Sequence, residues 1–516
     1  MPRAKLGGDS NRGHGGVDGA PTKSTAATDD APAAPGHLGA LSTLFFAEMW
    51  ERFSYYGMRA LLTLFMVAPA DAGGLAFATA DAALVYGNYT MAVYLLAIPG
   101  GFIADRLLGA RASVLVGGAI IAAGHFALAV PHIAGFYIGL MLVALGTGPF
   151  KPAISSLVGS LYTREDPRRD AGFSIFYMGI NLGALIAPLV TGYLAQNATF
   201  KSWLAANGFD PAHSWHWGFG AAGIGMSFAL AVLWMRRDRL PGPPADLAEE
   251  RAGAYRQGAA VLAASAILLS GLLLSDLDGF RWLRYVLVGL PLLAVALLVR
   301  REDLEARRIA AVFVLFFAAM IFWSAFEQAG LTIALFAERL TDNSLGGFDI
   351  PSAWYQSLNP LFVVLLAPLF ALAWTRLGPR QPTTPVKFAL GLVLLSLSFA
   401  LMVPAAWATA TGRISPLWLV GLFLLQTMGE LCLSPVGLAA MTRLAPPRLV
   451  GLVLGIWFLA SAFGNKLAGV LGASFVSDDP QQLASFFWQL CAMSAVAAVV
   501  LVALTPWLKR LMGGMR

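Results

Sequence analysis

The sequence predicts an all-α, polytopic membrane protein with fourteen transmembrane helices, and three observations carry that prediction. Hydrophobic residues make up 58% of the 516 positions and charged residues only 12%, whereas charged residues form about a quarter of an average soluble protein. The apolar residues fall into fourteen runs, each of roughly 20 residues, the length of helix that crosses a hydrocarbon core of about 30 Å. The Lys and Arg residues between these runs are unevenly distributed, as in loops on the two sides of a membrane.

The fourteen runs form a set of six, a set of two and a second set of six. We therefore expect a tail at 1–38, a six-helix bundle at 39–236, a linker with two extra helices at 237–308 and a second six-helix bundle at 309–510. The tail is rich in Gly, Ala, Pro, Thr and Asp, a composition typical of disordered chains. The predicted spans are 41–68, 82–104, 113–130, 135–161, 172–195, 217–235, 257–275, 283–299, 309–337, 352–374, 386–407, 416–441, 452–475 and 483–508.

The distribution of basic residues predicts the orientation of the chain, because cytoplasmic loops carry the excess of Lys and Arg. With the N-terminus inside, the inner loops and the C-terminal tail hold 22 Lys and Arg residues, and the outer loops hold five. We therefore expect a multi-pass protein of the plasma membrane, surrounded by lipid, with both termini in the cytoplasm. This topology accounts for the formal net charge of +6, so the basic composition gives no support to nucleic acid as a partner.

The sequence contains few groups that could perform enzymatic chemistry. Cys432 and Cys491 each lie in an apolar run, and the six histidines show no ligand spacing, so we expect no metal site, cofactor or disulfide. An enzyme or a receptor would need a nucleophile with its base, metal ligands or a large soluble domain, and the sequence contains none of these. A Gly-rich loop ending in Gly-Lys-Ser or Gly-Lys-Thr is also missing from the sequence, which argues against an ATP-driven pump. A transporter of this sequence would use an ion gradient or work downhill.

The first span carries four charges, Glu48, Glu51, Arg52 and Arg59, within an otherwise apolar segment. Each charge near the centre of a bilayer costs ~3 kcal/mol or more. Glu48 and Arg52 are four residues apart with the carboxylate first, the better order for pairing on a helix. With Tyr55 and Arg59 they form a polar stripe, which must face protein or a water-filled cavity. The alternative is a structural salt-bridge cluster that locks one helix to another.

With Arg284 and Lys387, each the second residue of its span, counted among the loop cations, eight charged residues fall within predicted spans. Charges at membrane depth are functional candidates. If the two six-helix sets are repeated halves, the cluster on the first span corresponds to Glu327 on the ninth, and Lys151 corresponds to Glu430. Transporters built from repeats hold their substrate near the midplane between the halves. One wall would then be richer in cations and the other in carboxylates, which favours a zwitterionic substrate. The eight residues are Glu48, Glu51, Arg52, Arg59, Lys151, Glu327, Glu430 and Lys466.

Six motifs in order resemble those of the proton-dependent oligopeptide transporter family, within the major facilitator superfamily. The first is Glu-x-x-Glu-Arg-Phe-x-Tyr-Tyr-Gly at 48–57. The resemblance extends from about residue 41 to the C-terminus and includes the two extra helices that bacterial members carry in mid-chain. It implies the major facilitator fold, with two six-helix halves around a central cavity, in a bacterial inner membrane. The other five motifs are at 101–111, 176–183, 326–328, 356–360 and 429–435.

The resemblance implies a proton-coupled symporter that imports di- and tripeptides by alternating access, driven by the proton gradient without another cofactor. We expect it to act as a monomer. By resemblance, proton coupling involves Glu48, Glu51, Arg52, Lys151 and Glu327. By resemblance, the peptide site is lined by Arg52, Tyr55, Tyr56, Arg59, Tyr94, Lys151 and Asn181 from the first half and by Glu327, Asn359, Glu430, Trp457 and Ser461 from the second.

Two questions stay open at the level of the sequence. Lys466 has no counterpart in the family pattern, and its side chain would either extend to the membrane surface or form a salt bridge at a gate. Glu327 would pair either with Arg59 or another cation of the first half, or within the second half with a cation such as Lys466. A facilitator of the same fold for another small solute, such as nitrate or an organic anion, is the alternative function, although it would not need Glu430 opposite the basic cluster.

Overall fold

The computed structural model describes residues 37–163, 166, 168–242, 247–274, 282, 293, 296–298, 303–446 and 449–513. In this part of the chain twelve helices are long and apolar enough to cross a membrane. The charged helix α1, His37–Val67, adds a further helix of 31 residues. The all-α, polytopic prediction is confirmed. The predicted span at 283–299 lies, apart from four positions, outside the described residues, as does the predicted tail up to residue 36.

The first half consists of helices that run back and forth between the two ends of a bundle. Its second span is two consecutive helices joined at Leu96 and followed by a short π-helix, Ala104–Leu108. The helix α9, Leu247–Leu274, is the first of the two extra helices. The helices of the first half after α1 are α2 Thr79–Leu95, α3 Ala97–Ile103, α4 Ala110–Leu128, α5 Ile133–Gly159, α6 Arg169–Gln196, α7 Ala198–Ala206 and α8 Ser214–Met235.

The second half repeats this arrangement with two short insertions that the sequence did not predict. A small antiparallel hairpin pairs β1, Ser344–Leu345, with β2, Phe348–Asp349, and a 3₁₀ segment, Ser352–Ser357, comes before the next long helix. The helices are α10 Leu304–Phe326, α11 Thr332–Leu340, α12 Leu358–Leu377, α13 Thr384–Ala408, α14 Leu417–Leu444, α15 Val450–Gly472 and α16 Pro480–Leu511. The domain boundaries given above stay a prediction.

The predicted span 309–337 is not one continuous helix, which corrects the sequence-based boundary. The helix α10 ends at Phe326, a 3₁₀ turn covers Glu327–Gly330, and α11 begins at Thr332. The hydroxyl of Thr63, on the first half, donates to the Gly330 carbonyl at 2.7 Å. This bond satisfies a backbone carbonyl at the break, as a buried polar group requires. The break puts Glu327 at the end of a helix, next to the first half.

The halves contact each other at the end of the described bundle where α1 finishes at Val67, which we call the closed end, and from there along α2 and α15 as far as Leu95 and Ala462. At the other end, the open end, a cavity of about 720 Å³ lies among α12, α13, α14 and α15 and is reached by Tyr177 of α6. The hydrogen bonds at the closed end include Ser357 to the Leu185 carbonyl at 2.7 Å, Trp354 to the Leu189 carbonyl at 2.9 Å and Gln196 to the Ser352 hydroxyl at 2.9 Å.

Glycines allow helices of the two halves to approach closely at the closed end. A Cβ atom on Gly87 of α2 would lie 2.8 Å from the Gly469 Cα of α15 and 2.9 Å from the Asn465 carbonyl oxygen. Small residues are what permits such contact between membrane helices. A similar contact within the first half, between Gly183 of α6 and Arg52 of α1, brings α6 against α1 at the level of the charged stripe.

Candidate functional site

The charged stripe on α1 is an ion cluster centred on Arg52. Its Nε lies 2.8 Å from Glu48 Oε1 and 2.6 Å from Glu51 Oε2, and all three side chains are buried. Glu48 Oε2 and Arg52 Nη2 are buried without a hydrogen-bond partner among the described residues. Buried polar atoms are normally satisfied, so Arg52 retains a donor for a further acceptor group.

Lys151 of α5 joins this cluster from a neighbouring helix. It lies between Pro149 and Pro152, which interrupt the helical hydrogen bonds of α5. Its Nζ is 4.2 Å from the centre of the Tyr94 ring on α2, within the range of a cation–π contact. Its charged neighbours include Arg52, Glu51 and Glu48. Three helices therefore converge on one group of charges.

The other predicted residues of the first half include Tyr55 and Tyr56 on α1 and Asn181 on α6. The Tyr55 ring centre is 5.8 Å from Arg52 Cζ, and the Tyr56 ring centre is 5.9 Å from Arg59 Cζ. Asn181 of α6 is buried and donates to the carbonyl of Tyr177 at 2.9 Å. Aromatic rings with polar tips next to cations suit a substrate with variable side chains.

The second half presents a carboxylate, Glu430 of α14, to the cavity. The side-chain amide of Asn359, at the start of α12, donates to Glu430 Oε2 at 2.9 Å and to the Thr427 hydroxyl at 3.0 Å. Among the described residues no cation forms a salt bridge with Glu430. This wall therefore offers a carboxylate whose hydrogen-bond donor is the neutral amide of Asn359.

Trp457 of α15 belongs to the same wall as Glu430. Its ring lies against Gly437, where a side chain would collide with it, and its centre is 6.1 Å from that of Phe388. Trp457 lines the cavity. Ser461, about one turn further along α15, is buried, and its carbonyl accepts a hydrogen bond from Asn465 at 2.9 Å.

A salt bridge between Arg59 and Glu327 connects the halves at the closed end of the site. Arg59 Nε also donates to the Tyr86 hydroxyl at 2.5 Å. Lys466 does not reach this pair but donates to the Asn88 side-chain oxygen at 2.6 Å. Of the two pairings that the sequence left open for Glu327, the structure has the one across the halves. Lys466 makes its own contact with the first half.

Three residues of this region were missed by the sequence analysis. Tyr86 and Asn88 are neutral, so a search for charges within spans passes over them, although Tyr86 shares a helix face with Tyr94. Lys387 was counted as a loop cation, yet it lies in the first turn of α13 with 9% of its surface exposed. Placing Lys387 in a loop was wrong, because its burial depends on Trp374 of α12. The Trp374 ring centre lies 4.6 Å from the Lys387 Nζ.

Comparisons with known proteins find a family profile and several relatives that match this chain. A family profile described as the POT family matches residues 111–242 and 288–488. The chain is 40% identical over 505 residues to the peptide transporter YePEPT of Yersinia enterocolitica, an alignment that covers 92% of this chain and 96% of the relative. It is 36% identical over 506 residues to a di-/tripeptide transporter of Lactococcus lactis, covering 93% of this chain and 98% of the relative.

The chain belongs to the POT family. A crystal structure of a mutant peptide transporter POT in complex with alafosfalin is 38% identical, has a TM-score of 0.78 and covers 92% of this chain and 96% of that chain. The family resemblance and the major facilitator fold predicted from the motifs are therefore confirmed, and the chain is a multi-pass membrane transporter. The roles of individual residues in this POT protein stay predictions.

Proposed function

We propose that this protein is a proton-coupled symporter that imports di- and tripeptides across the plasma membrane by alternating access. The observation that carries the proposal is the opposition of charge between the two halves. The first half offers Arg52 and Lys151 in a buried cluster, and the second offers Glu430 in the wall of the cavity. A free peptide is a zwitterion of variable side chain, so two walls of opposite sign recognise the part that all peptides share.

Proton coupling follows from counting the charges of the first wall. When Glu48, Glu51, Arg52 and Lys151 are all ionised, their charges sum to zero. Protonation of one carboxylate leaves an uncompensated cation, which is then able to hold the carboxylate of the peptide. Proton and peptide therefore bind cooperatively, and by linkage each raises the affinity for the other.

Alternating access follows from the contacts between the halves. The salt bridge of Arg59 with Glu327 and the bond of Lys466 to Asn88 lie on the closed side of the charged cluster. For a central site to face each side in turn, these contacts must break while others form at the open end. Glu327 couples this movement to the proton cycle because its protonation would remove the charge that holds Arg59.

The direction of transport depends on the orientation of the chain. The excess of Lys and Arg in loops on the side of the N-terminus favours cytoplasmic termini. The open end would then face the cytoplasm, and the described conformation would be inward-open. We further propose that one chain is the transporting unit, since each half supplies one wall of the site.

Uptake of labelled dialanine into proteoliposomes tests the proposal. An inward proton gradient should drive accumulation above the external concentration, and a proton ionophore should abolish it. Nitrate and simple organic anions, which lack an amine for Glu430, should not compete. Accumulation that is independent of the gradient, or competition by nitrate, would contradict the proposal.

A further inference from the structure

The open end of the cavity contains a buried cation that the proposed transport cycle does not use. Lys387 is 9% exposed and lines the cavity. Its Nζ donates to Gln381 Oε1 at 2.8 Å and lies 4.6 Å from the centre of the Trp374 ring. In the described parts of the chain no carboxylate forms a salt bridge with it. Buried lysines are almost always paired with an opposite charge, so the neutral partners of Lys387 leave its charge uncompensated.

The surroundings of Lys387 add positive potential. It lies in the first turn of α13, where the helix dipole is positive and disfavours a cation but attracts an anion. The hydroxyl of Thr383, at the cap position, makes no capping bond and has no partner among the described residues. Thr384 and Arg443 line the same cavity. Two cations and a helix N-terminus therefore converge on one end of it.

The packing of α13 against α14 gives the distance between Lys387 and Glu430 along the bundle axis. Gly391 of α13 contacts the backbone of Gly429, and the helices are antiparallel because they follow each other in the bundle. Lys387 lies four residues before Gly391, and Glu430 lies one residue after Gly429. The Lys387 Cα is therefore about 4.5 Å, just under one turn, further toward the open end than the Glu430 Cα. A di- or tripeptide extends over about 7–10 Å.

We propose that Thr384, Lys387 and Arg443, with the ring of Trp374, form an inner anion subsite for the C-terminal carboxylate of a peptide whose amine is still held by Glu430. This inference rests on the proposed function and names a further step in it. When the peptide leaves Arg52 and Lys151 on the first wall, its carboxylate moves to the inner anion subsite before the amine dissociates. The subsite thus holds a release intermediate entirely on the second half.

The substitution Lys387→Met, which removes the charge and leaves an unbranched side chain one atom shorter, tests the proposal in the purified protein. Binding of dialanine and of its C-terminal amide is measured by calorimetry. The variant should bind dialanine about tenfold more weakly, the loss of one charge-assisted contact, and should bind the amide as the wild type does. Lys387→Arg should keep the wild-type ratio. Arg376→Met is the matched control, because Arg376 is an exposed cation at the same end and does not line the cavity.

Three results would overturn the inner anion subsite alone. Equal losses for dialanine and its amide would assign Lys387 a structural role only. Unchanged binding of both by Lys387→Met, with normal uptake, would remove the subsite and leave the proposed function intact. An effect on uptake that follows the phosphatidylglycerol content of phosphatidylcholine vesicles, and not the carboxylate of the substrate, would assign the cations to a lipid headgroup. A wild type that neither binds nor transports dialanine would overturn both proposals.

Discussion

Arg59 of α1 and Glu327 at the end of α10 form a buried salt bridge that joins the two halves of the protein at the closed end of the site. Arg59 is held in place by Tyr86, and Glu327 is brought to Arg59 by the break between α10 and α11. Removing one partner of a buried ion pair leaves an uncompensated charge and costs about 3–5 kcal/mol. Loss of the pair should therefore destabilise mainly the conformation in which the closed end is closed.

Charge reversal tests whether this bridge is a gate. Glu327→Lys should reduce proton-driven uptake at least about tenfold, because two cations then face each other at the closed end. Combining it with Arg59→Glu should restore part of the activity, since the pair is rebuilt in the opposite order. Uptake is measured in proteoliposomes at equal amounts of inserted protein. Rescue by Lys466→Glu in place of Arg59→Glu would show that the functional bridge lies within the second half.

The charged cluster of the first half should be essential for coupling. Lys151→Ala or Arg52→Ala should abolish accumulation of dialanine against its gradient, because each removes a cation that balances the two glutamates. Exchange of peptide across the membrane without a proton gradient should partly survive in one of them. Lys509→Ala, an exposed cation at the end of α16, is the control and should behave as the wild type. Concentrative uptake at wild-type levels by both variants would refute the assignment.

Glu430 should recognise the free amine of the peptide. Glu430→Gln should weaken binding of free dipeptides by about tenfold, since a charge-assisted contact is worth roughly twice a neutral one. N-acetylated dipeptides should bind poorly to the wild type and lose little more in the variant. Calorimetry on both ligands measures the difference. Losses of the same size for free and acetylated peptides would make Glu430 a structural residue.

The close contact of α2 with α15 should set the balance between conformations. Gly87→Ala puts a methyl group against backbone atoms of the second half, which cannot move aside as a side chain can. The closed end should therefore separate more readily, and the cavity should be less often open at the other end. Gly220→Ala is the control, because the added carbon would come no closer than 3.7 Å to Ala129.

Labelling of an added cysteine measures this shift. Ser434 lines the cavity, so Ser434→Cys should react with an impermeant maleimide applied from the open end. The two natural cysteines, Cys432 and Cys491, are buried and give a low background, which the protein without Ser434→Cys determines. Labelling should be slower by severalfold with Gly87→Ala than with Gly220→Ala. Equal rates would show that the glycine contact does not favour either conformation.

Much of this architecture follows from one-dimensional properties of the chain. Apolar length finds the helices, and the energetic cost of charge at membrane depth singles out Glu48, Arg52, Lys151 and Glu430. The features that the sequence does not predict are those that depend on a partner distant in the sequence. The helix break after Phe326 involves a hydroxyl on the other half, Thr63.

The sequence also does not predict whether a charged residue is buried when it lies near the end of an apolar run. Lys387 is the second residue of the predicted span 386–407, and nothing local distinguishes a cation at the surface from one covered by an aromatic ring of another helix. Tyr86 carries no charge and gives no hydropathy signal, although its hydroxyl accepts a hydrogen bond from Arg59 Nε and so fixes the position of that side chain. Such residues become candidates only when the neighbours are known.

The hydrogen bond from Asn359 to Glu430 has a consequence for the speed of the carrier. The bond occupies only Oε2, and a carboxylate accepts on both oxygens, so an arriving ammonium group can bind Glu430 while Asn359 keeps its bond. When the amine departs, the amide of Asn359 still satisfies one oxygen, and the cost of leaving the carboxylate in the wall without a ligand is smaller. A permanent neutral donor thus narrows the free-energy difference between the loaded and unloaded carrier, and a smaller difference favours fast release.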